Sequence, residues 1–239
     1  MKQILKTWWP LAASWLLMGI EGPALSAVMA RLAEPEINLA AYGGVVFPLS
    51  LIIESPIIML LAASTALSKD RDSYRWLHRF MMISGAVLTA IHILVAFTPT
   101  YYLIVRNLLA VPEEIVQPAR IGLMIMTPWT WSIAYRRFQQ GVMIRFGHSR
   151  AVGVGTMVRL LSGGMVLLLG YWLGTVDGII VACTAQALGV VSEATYAGLR
   201  VRPILKYQVR YTGPTDRITW RLFAGFYLPL AMTSLLALA

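Results

Sequence analysis

The stretch Pro10-Leu-Ala-Ala-Ser-Trp-Leu-Leu17 lies near the start of the first long apolar segment of the chain. A similar stretch, Pro229-Leu-Ala-Met-Thr-Ser-Leu-Leu236, lies in the last apolar segment. Five of the eight aligned positions are identical, and both stretches follow aromatic residues. The pattern predicts one complete helical bundle followed by the opening of a second. A chance match between segments rich in leucine and alanine is the alternative interpretation.

The composition places the chain among membrane proteins. Hydrophobic residues make up 58% of the sequence and charged residues only 13%, and the mean hydropathy is +0.67. These values are far from those of a soluble domain. The single cysteine, Cys183, excludes an internal disulfide. We find no glycine-rich phosphate loop and no zinc-ligand spacing.

The apolar runs predict an all-α, polytopic membrane protein with six transmembrane helices and the start of a seventh. Each run has about 20 or more residues, enough for a helix to cross the apolar core of a bilayer. The six predicted spans are 8–32, 39–67, 77–98, 115–135, 151–173 and 178–198, and the partial seventh is 222–239.

Three segments follow from these spans. Residues 1–199 form an N-terminal six-helix bundle, residues 200–221 a basic cytoplasmic linker, and residues 222–239 the truncated start of a second bundle. Gly213-Pro214 in the linker is typical of a joint between two bundles. We also expect residues 100–112 to form a short amphipathic helix on the outer surface.

The distribution of basic residues predicts the orientation. Sixteen of the twenty lysines and arginines lie at the N-terminus or in the even-numbered connections. Basic connections remain cytoplasmic, so we expect a cytoplasmic N-terminus. The net charge of +9 is therefore a topology signal, and nucleic acid is not a predicted partner. These sixteen residues are Lys2, Lys6, Lys69, Arg71, Arg75, Arg79, Arg136, Arg137, Arg145, Arg150, Arg200, Arg202, Lys206, Arg210, Arg217 and Arg221.

Two carboxylates inside predicted spans share one local pattern, Glu21-Gly22-Pro23 and Glu54-Ser55-Pro56. A carboxylate in the middle of the membrane is costly unless it meets a partner, water or an ion. A proline cannot donate to the carbonyl four residues earlier and kinks the helix, so Pro23 and Pro56 free backbone oxygens near each carboxylate. Such an arrangement can hold Na⁺ or a proton. The alternative is that either carboxylate only contacts a neighbouring helix or water.

Two further charged residues lie in the fifth and sixth predicted spans. Arg159 has a stem long enough to reach the cytoplasmic surface. It also has the chemistry to pair with Glu21 or Glu54, or to bind an anionic substrate. Glu193, near the cytoplasmic end of the sixth predicted span, is a candidate ion ligand. The candidate ion-coupling or substrate residues are therefore Glu21, Glu54, Arg159 and Glu193.

Four stretches carry a resemblance to a known family. They are Ile91-His-Ile-Leu-Val-Ala-Phe97, Tyr101-Tyr-Leu-Ile-Val-Arg-Asn107, Pro112-Glu-Glu114 and Tyr135-Arg-Arg-Phe-Gln-Gln-Gly-Val-Met-Ile-Arg-Phe-Gly-His148. Together they resemble the progressive ankylosis protein family, which belongs to the multidrug and toxin extrusion (MATE)-like exporters.

The resemblance implies two six-helix bundles facing each other across a central cavity, with this chain as the N-terminal lobe. It implies alternating access coupled to Na⁺ or H⁺, with no other cofactor, and Glu21 matches the acidic first-span residue that serves cation coupling. The implied substrate is a small organic ion or anion, such as pyrophosphate or an organic phosphate, or a drug. The implied partners are the bilayer, this substrate, and a second homologous bundle supplied by a missing C-terminal half or a second copy.

The leading hypothesis is thus a non-enzymatic, multi-pass transporter of the plasma membrane, or of the inner membrane in a bacterium. A flippase for lipid or lipid-linked saccharide is the alternative, in which Arg159 and the basic connections handle an anionic headgroup. An intramembrane serine protease is a remote alternative, because Ser162-Gly-Gly lacks the expected pattern around the nucleophile and no late span carries a histidine base. A non-transporting scaffold disagrees with the paired carboxylates.

Overall fold

The structure is a computed structural model that describes residues 2–209 and 218–236. Helices form its secondary structure, and no strand occurs in these two ranges. Two short π-helical segments, Ala41–Val46 and Leu103–Leu108, continue the helices before them. The α-helices are α1 (Lys2–Met29), α2 (Pro35–Ala40), α3 (Phe47–Ile58), α4 (Leu60–Leu67), α5 (Arg71–Phe97), α6 (Thr100–Tyr102), α7 (Glu113–Ile125), α8 (Thr127–Arg145), α9 (Ser149–Leu173), α10 (Gly178–Tyr207) and α11 (Trp220–Leu236).

Five segments of the described chain are helical, long and apolar enough to cross a membrane: Leu11–Met29, Pro35–Leu67, Arg71–Phe97, Ser149–Leu173 and Gly178–Tyr207. The chain is therefore a multi-pass helical membrane protein. The fourth predicted span instead corresponds to α7 and α8, two helices that meet at Met126. The count of six spans stays a prediction, and residues 237–239 of the predicted seventh span lie outside the described residues.

The long helices alternate in direction because short connections join most of them. We call the end where α1 begins the amino end of the bundle. α10 packs against α9, α8 and α7. Small residues allow the close approach of α9, since a Cβ atom on Gly170 would lie 2.4 Å from Val181 Cγ1.

The second membrane-crossing segment is interrupted twice. A π-helical turn precedes α3, and Met59 (φ −78°, ψ 1°) separates α3 from α4, three residues after Pro56. A break in a helix leaves backbone carbonyls without their intrahelical donors. α11 packs against α3 here, and the Tyr227 hydroxyl donates a hydrogen bond to the Pro56 carbonyl. Phe80 of α5 packs edge-on against Phe223 of α11. The interruption thus becomes the docking site of α11.

The segment expected to lie as a surface helix is attached to the bundle. Thr100–Leu108 is helical, but the Tyr101 side chain is fully buried, and its hydroxyl donates to the Val116 carbonyl at 2.6 Å. Tyr101 therefore anchors this segment to α7.

The predicted division into bundle, linker and second bundle stays a prediction. α10 continues through Tyr207, with Val201 and Ile204 buried, so the first part of the predicted linker extends this helix. Residues 210–217, including Gly213-Pro214, lie outside the described residues.

Two of the basic residues assigned to a cytoplasmic connection lie in the interior of a helix, away from its ends. Arg136 and Arg137 lie in the middle of α8, which ends at Arg145, and the Arg136 side chain is only 2% exposed. Placing them in the fourth connection was wrong, because the apolar run ends before the helix does. The remaining basic residues still favour the amino end, and the predicted orientation stays a prediction.

Candidate functional site

The structure brings Glu21 of α1 and Arg159 of α9 together inside the bundle. Arg159 Nε donates to Glu21 Oε1 at 2.9 Å, and Arg159 Nη2 donates to Glu21 Oε2 at 2.5 Å. The Arg159 side chain is 4% exposed and that of Glu21 14%. This is a two-point pair between a planar guanidinium and a carboxylate, the strongest geometry available to these groups. Of the roles considered for Arg159, the structure therefore shows pairing with Glu21.

α10 supplies a third member of this contact. In the amide orientation that satisfies both neighbours, Gln186 Nε2 donates to Glu21 Oε1 at 3.1 Å, and its oxygen accepts from Arg159 Nη2 at 3.2 Å. The Arg159 stem fits against α10 because the facing residue is Gly189, where a Cβ atom would lie 3.2 Å from Arg159 Cγ. The glycine thus makes room for the arginine.

Glu193 lies near the middle of α10 and is fully buried. Arg136 Nη1 donates to Glu193 Oε2 at 2.7 Å, and Gln140 Nε2 donates to Glu193 Oε1 at 2.9 Å. Arg159 Nη1 lies 4.0 Å from Glu193 Oε2, so Arg159 is within reach of both Glu21 and Glu193. The contacts form one continuous chain from Glu21 through Arg159 and Glu193 to Arg136.

Glu54 is buried in α3, with 3% of its surface exposed, and does not join this chain of contacts. Its Oε2 atom has no hydrogen-bond partner among the described residues. The charged groups that act on it are, in decreasing order, Arg137, Arg136 and Arg159. Glu21 and Glu54, which the sequence presents as equivalent, thus differ: one has a two-point ion pair, and the other has only charges at a distance.

The kinks expected at Pro23 and Pro56 stay a prediction. α1 continues as a helix through Pro23, and α3 continues two residues beyond Pro56 before it ends. The Ile52 carbonyl, expected to be free near Glu54, accepts a hydrogen bond from the Ser55 hydroxyl at 2.9 Å. Within the described residues, this carbonyl is therefore the acceptor of the Ser55 hydroxyl.

Two cavities flank the chain of contacts on opposite sides. A cavity of about 160 Å³, which we call the glutamate cavity, lies between α1, α9 and α10 and has Glu21 and Gln186 among mostly apolar neighbours. A cavity of about 120 Å³, which we call the arginine cavity, lies towards the amino end and is lined by Arg136, Arg137 and Gln140. The ionic contacts therefore separate two internal spaces of the bundle.

Six charged side chains thus lie within one bundle, and their formal charges balance. The carboxylates are Glu21, Glu54 and Glu193, and the guanidiniums are Arg136, Arg137 and Arg159. Removing such groups from water costs several kcal/mol per ion unless partners compensate. Within the cluster, Arg159 lies within reach of two carboxylates, Glu21 and Glu193.

Sequence reasoning did not identify Arg136, Gln140 and Gln186 as members of the site. Two signals were present: Arg136 and Gln140 are spaced i, i+4 on α8, and Gln186 and Glu193 are spaced i, i+7 on α10. Both spacings place polar side chains on one face of a helix.

No family model matches the sequence, and no curated protein matches it either. Two solved structures do match. One is an outward-facing multidrug resistance MATE family transporter of the MOP superfamily, with a TM-score of 0.74, 16% identity, and coverage of 98% of this chain and 52% of the other. The second is a MOP superfamily transporter from Pyrococcus furiosus, described as having a binding pocket of reversed polarity that suggests a different function. Its TM-score is 0.73, with 14% identity and coverage of 98% and 52%.

The chain spans about half the length of both structures that it matches. At these identities the similarity concerns the fold, and it does not test the resemblance to the progressive ankylosis family. The described helices therefore have the fold of about half of a MATE-type transporter of the MOP superfamily.

Proposed function

We propose that this chain forms one lobe of a secondary active transporter, in which Glu21 binds the coupling ion, H⁺ or Na⁺. The observation that carries the proposal is the buried two-point pair between Glu21 and Arg159, beside a cavity in a membrane bundle. Intramembrane ionisable residues are costly and usually mark ion or substrate pathways. The fold shared with MATE-type transporters supports this function.

The geometry suggests how ion binding changes the lobe. A proton or Na⁺ at Glu21 cancels the negative charge that holds Arg159. Arg159 then gains by moving towards Glu193, whose Oε2 is 4.0 Å away. Because Arg159 and Glu21 lie on α9 and α1, the exchange alters the contact between these helices. Helix movements of this kind underlie alternating access.

The proposal includes a second homologous bundle, supplied by further sequence or by a second copy. The coverage of 52% of each matching structure supports this part. It also includes the plasma membrane and a cytoplasmic N-terminus, supported by the bias of basic residues. As the substrate we propose a small organic ion, an anion such as pyrophosphate or an organic phosphate, or a drug.

The test is uptake into membrane vesicles from cells that express the protein, with an imposed pH or Na⁺ gradient. The probes are labelled pyrophosphate and a cationic dye. Glu21→Gln is expected to abolish the gradient dependence, because glutamine cannot take up the ion. Glu36→Gln is the matched control, since Glu36 is exposed on α2. Unchanged gradient dependence in Glu21→Gln would contradict the proposal, and lipid movement without a gradient would favour the flippase alternative.

A further inference from the structure

The arginine cavity is lined by two guanidiniums whose hydrogen-bond donors are only partly used by the described chain. Arg136 is 2% exposed and has one carboxylate partner, Glu193, while its Nε atom has no hydrogen-bond partner. Arg137 Nε is also buried without a partner, and within residues 2–209 and 218–236 no carboxylate forms an ion pair with Arg137. Both side chains line the same cavity. Unused donors on two adjacent guanidiniums are the chemistry that recognises an oxyanion.

The size and lining of the cavity fit a small oxyanion group. Its volume of about 120 Å³ is well above the roughly 10–15 Å³ that a cavity needs to hold one water molecule, so the cavity has room for one tetrahedral or carboxylate group. Gln140 adds a polar group one helical turn after Arg136, and the remaining walls are mostly apolar, including Leu61 and Val152. Apolar walls strengthen the attraction between an anion and the guanidiniums.

The charge balance shows what accompanies the anion. Glu21 pairs with Arg159 and Glu193 with Arg136, which leaves Glu54 and Arg137 as the two members of the cluster without an ion pair, so that by formal charge Glu54 balances Arg137. An anion bound to Arg137 balances the positive charge of this guanidinium in place of Glu54. The buried Glu54 carboxylate then has no compensating positive charge, and uptake of a proton neutralises it.

Within the described residues, the charged groups that act on Glu54 belong to α8 and α9. α8 contributes Arg136 and Arg137, and α9 acts on Glu54 through Arg159. α11 contributes Tyr227, whose hydroxyl donates to the Pro56 carbonyl. α5 also carries titratable and charged residues, and the rings of two of them, Tyr74 and His78, pack against Phe138 of α8. The others are Arg71, Asp72, Arg75, Arg79 and His92.

We propose that the arginine cavity is a binding site for a small oxyanion and that each anion enters together with one proton on Glu54. The inference deepens the proposed function, on which it rests for the route by which the anion reaches the cavity. The oxyanion belongs either to a soluble anion or to a phospholipid headgroup, since both present the same group to Arg136 and Arg137.

The test is binding of labelled sulfate to the purified full chain in detergent, without any gradient. Sulfate keeps a constant charge between about pH 5.5 and 8.5, so a pH effect reports the protein. If one proton enters with each anion, the dissociation constant rises by up to about tenfold per pH unit. Arg137→Gln is expected to raise the dissociation constant at least about tenfold. Arg202→Gln, which removes an exposed arginine at the end of α10, is expected to leave it unchanged.

Glu54→Gln keeps the proposal testable if Arg137→Gln misfolds, because Glu54→Gln is expected to bind sulfate more tightly at high pH than the unmodified protein does. Glutamine imitates the protonated carboxyl group, so this variant should bind sulfate at pH 8 as tightly as the unmodified protein does near pH 6, with little pH dependence. Absence of saturable sulfate binding by the folded protein at low pH would overturn the proposal. Equal binding by Arg137→Gln, or unchanged pH dependence in Glu54→Gln, would overturn it as well.

Two further experiments distinguish a lipid headgroup from a soluble anion, and the oxyanion site from ion coupling at Glu21. Binding repeated in nanodiscs with and without phosphatidylglycerol assigns the site to a lipid headgroup if that lipid competes with sulfate, and to a soluble anion if it does not. Glu21→Gln in the gradient assay tests ion coupling separately. If sulfate binding fails while Glu21→Gln abolishes gradient dependence, only the oxyanion site is wrong. If sulfate binds while Glu21→Gln leaves the gradient dependence intact, the proposed function is wrong.

Discussion

Replacing Glu193 with glutamine is expected to destabilise the protein more than any other single neutralisation of a carboxylate in the cluster. The Glu193 side chain is 0% exposed and accepts hydrogen bonds from Arg136 at 2.7 Å and Gln140 at 2.9 Å. Glutamine has nearly the same size but no charge, so Arg136 becomes a buried cation without its partner. Breaking a buried pair in this way costs about 3–5 kcal/mol.

Glu21→Gln is the matched comparison. After this change Arg159 still has Glu193 within 4.0 Å, and Glu21 itself is 14% exposed beside a cavity. The expected cost is therefore smaller, no more than the about 1.5–3 kcal/mol of a hydrogen bond to a charged group. Glu193→Gln is expected to lose more stability than Glu21→Gln because Arg136 retains no carboxylate partner, whereas Arg159 retains Glu193.

The assay is thermal unfolding of the purified protein in detergent. For a chain of this length about 1 kcal/mol shifts the Tm by roughly 2–4 °C, so Glu193→Gln should lower it by roughly 6–20 °C. The double variant Arg136→Met/Glu193→Gln should recover much of this loss, because it removes the buried cation as well. A Tm for Glu193→Gln equal to that of Glu21→Gln, or no recovery in the double variant, would refute the reasoning.

Two further predictions concern helix packing. Tyr227→Phe removes the hydrogen bond to the Pro56 carbonyl and should cost about 0.5–1.5 kcal/mol, seen as a lower Tm together with greater exposure of α11 in hydrogen exchange; unchanged exchange would contradict this. Gly170→Ala places a methyl group 2.4 Å from Val181 Cγ1 and should cost about 1–3 kcal/mol in thermal unfolding. Gly164→Ala on the same helix meets no atom within 4 Å and should be neutral; similar losses in both variants would exclude packing as the cause.

Several features of the site could be predicted from single segments of the sequence. Glu21 and Arg159 are conspicuous because charged residues are costly in apolar spans, and that cost requires a partner. Pairing with Glu21 was one of the roles expected for Arg159, and the structure shows it.

The positions of Arg136 and Glu193 along their helices could not be predicted, because the apolar runs do not show where these helices end. Arg136 was assigned to a connection because the apolar run stops at 135, whereas α8 continues to Arg145. The hydropathy of one segment does not distinguish a charged side chain that faces water from one that is buried against a partner on another helix. Glu193, expected near the end of its span, lies near the middle of α10 for the same reason, since that helix continues through Tyr207.

By itself, the sequence determined that the chain is an all-helical membrane protein, because hydropathy acts over one helix length and needs no knowledge of its neighbours. It also determined which carboxylates require compensation. Only the tertiary structure decided which guanidinium compensates which carboxylate, and that Glu54, with the same local pattern as Glu21, has no ion pair among the described residues. The physical reason is that Coulomb and hydrogen-bond energies depend on distances between residues far apart in the chain, and helix packing sets those distances.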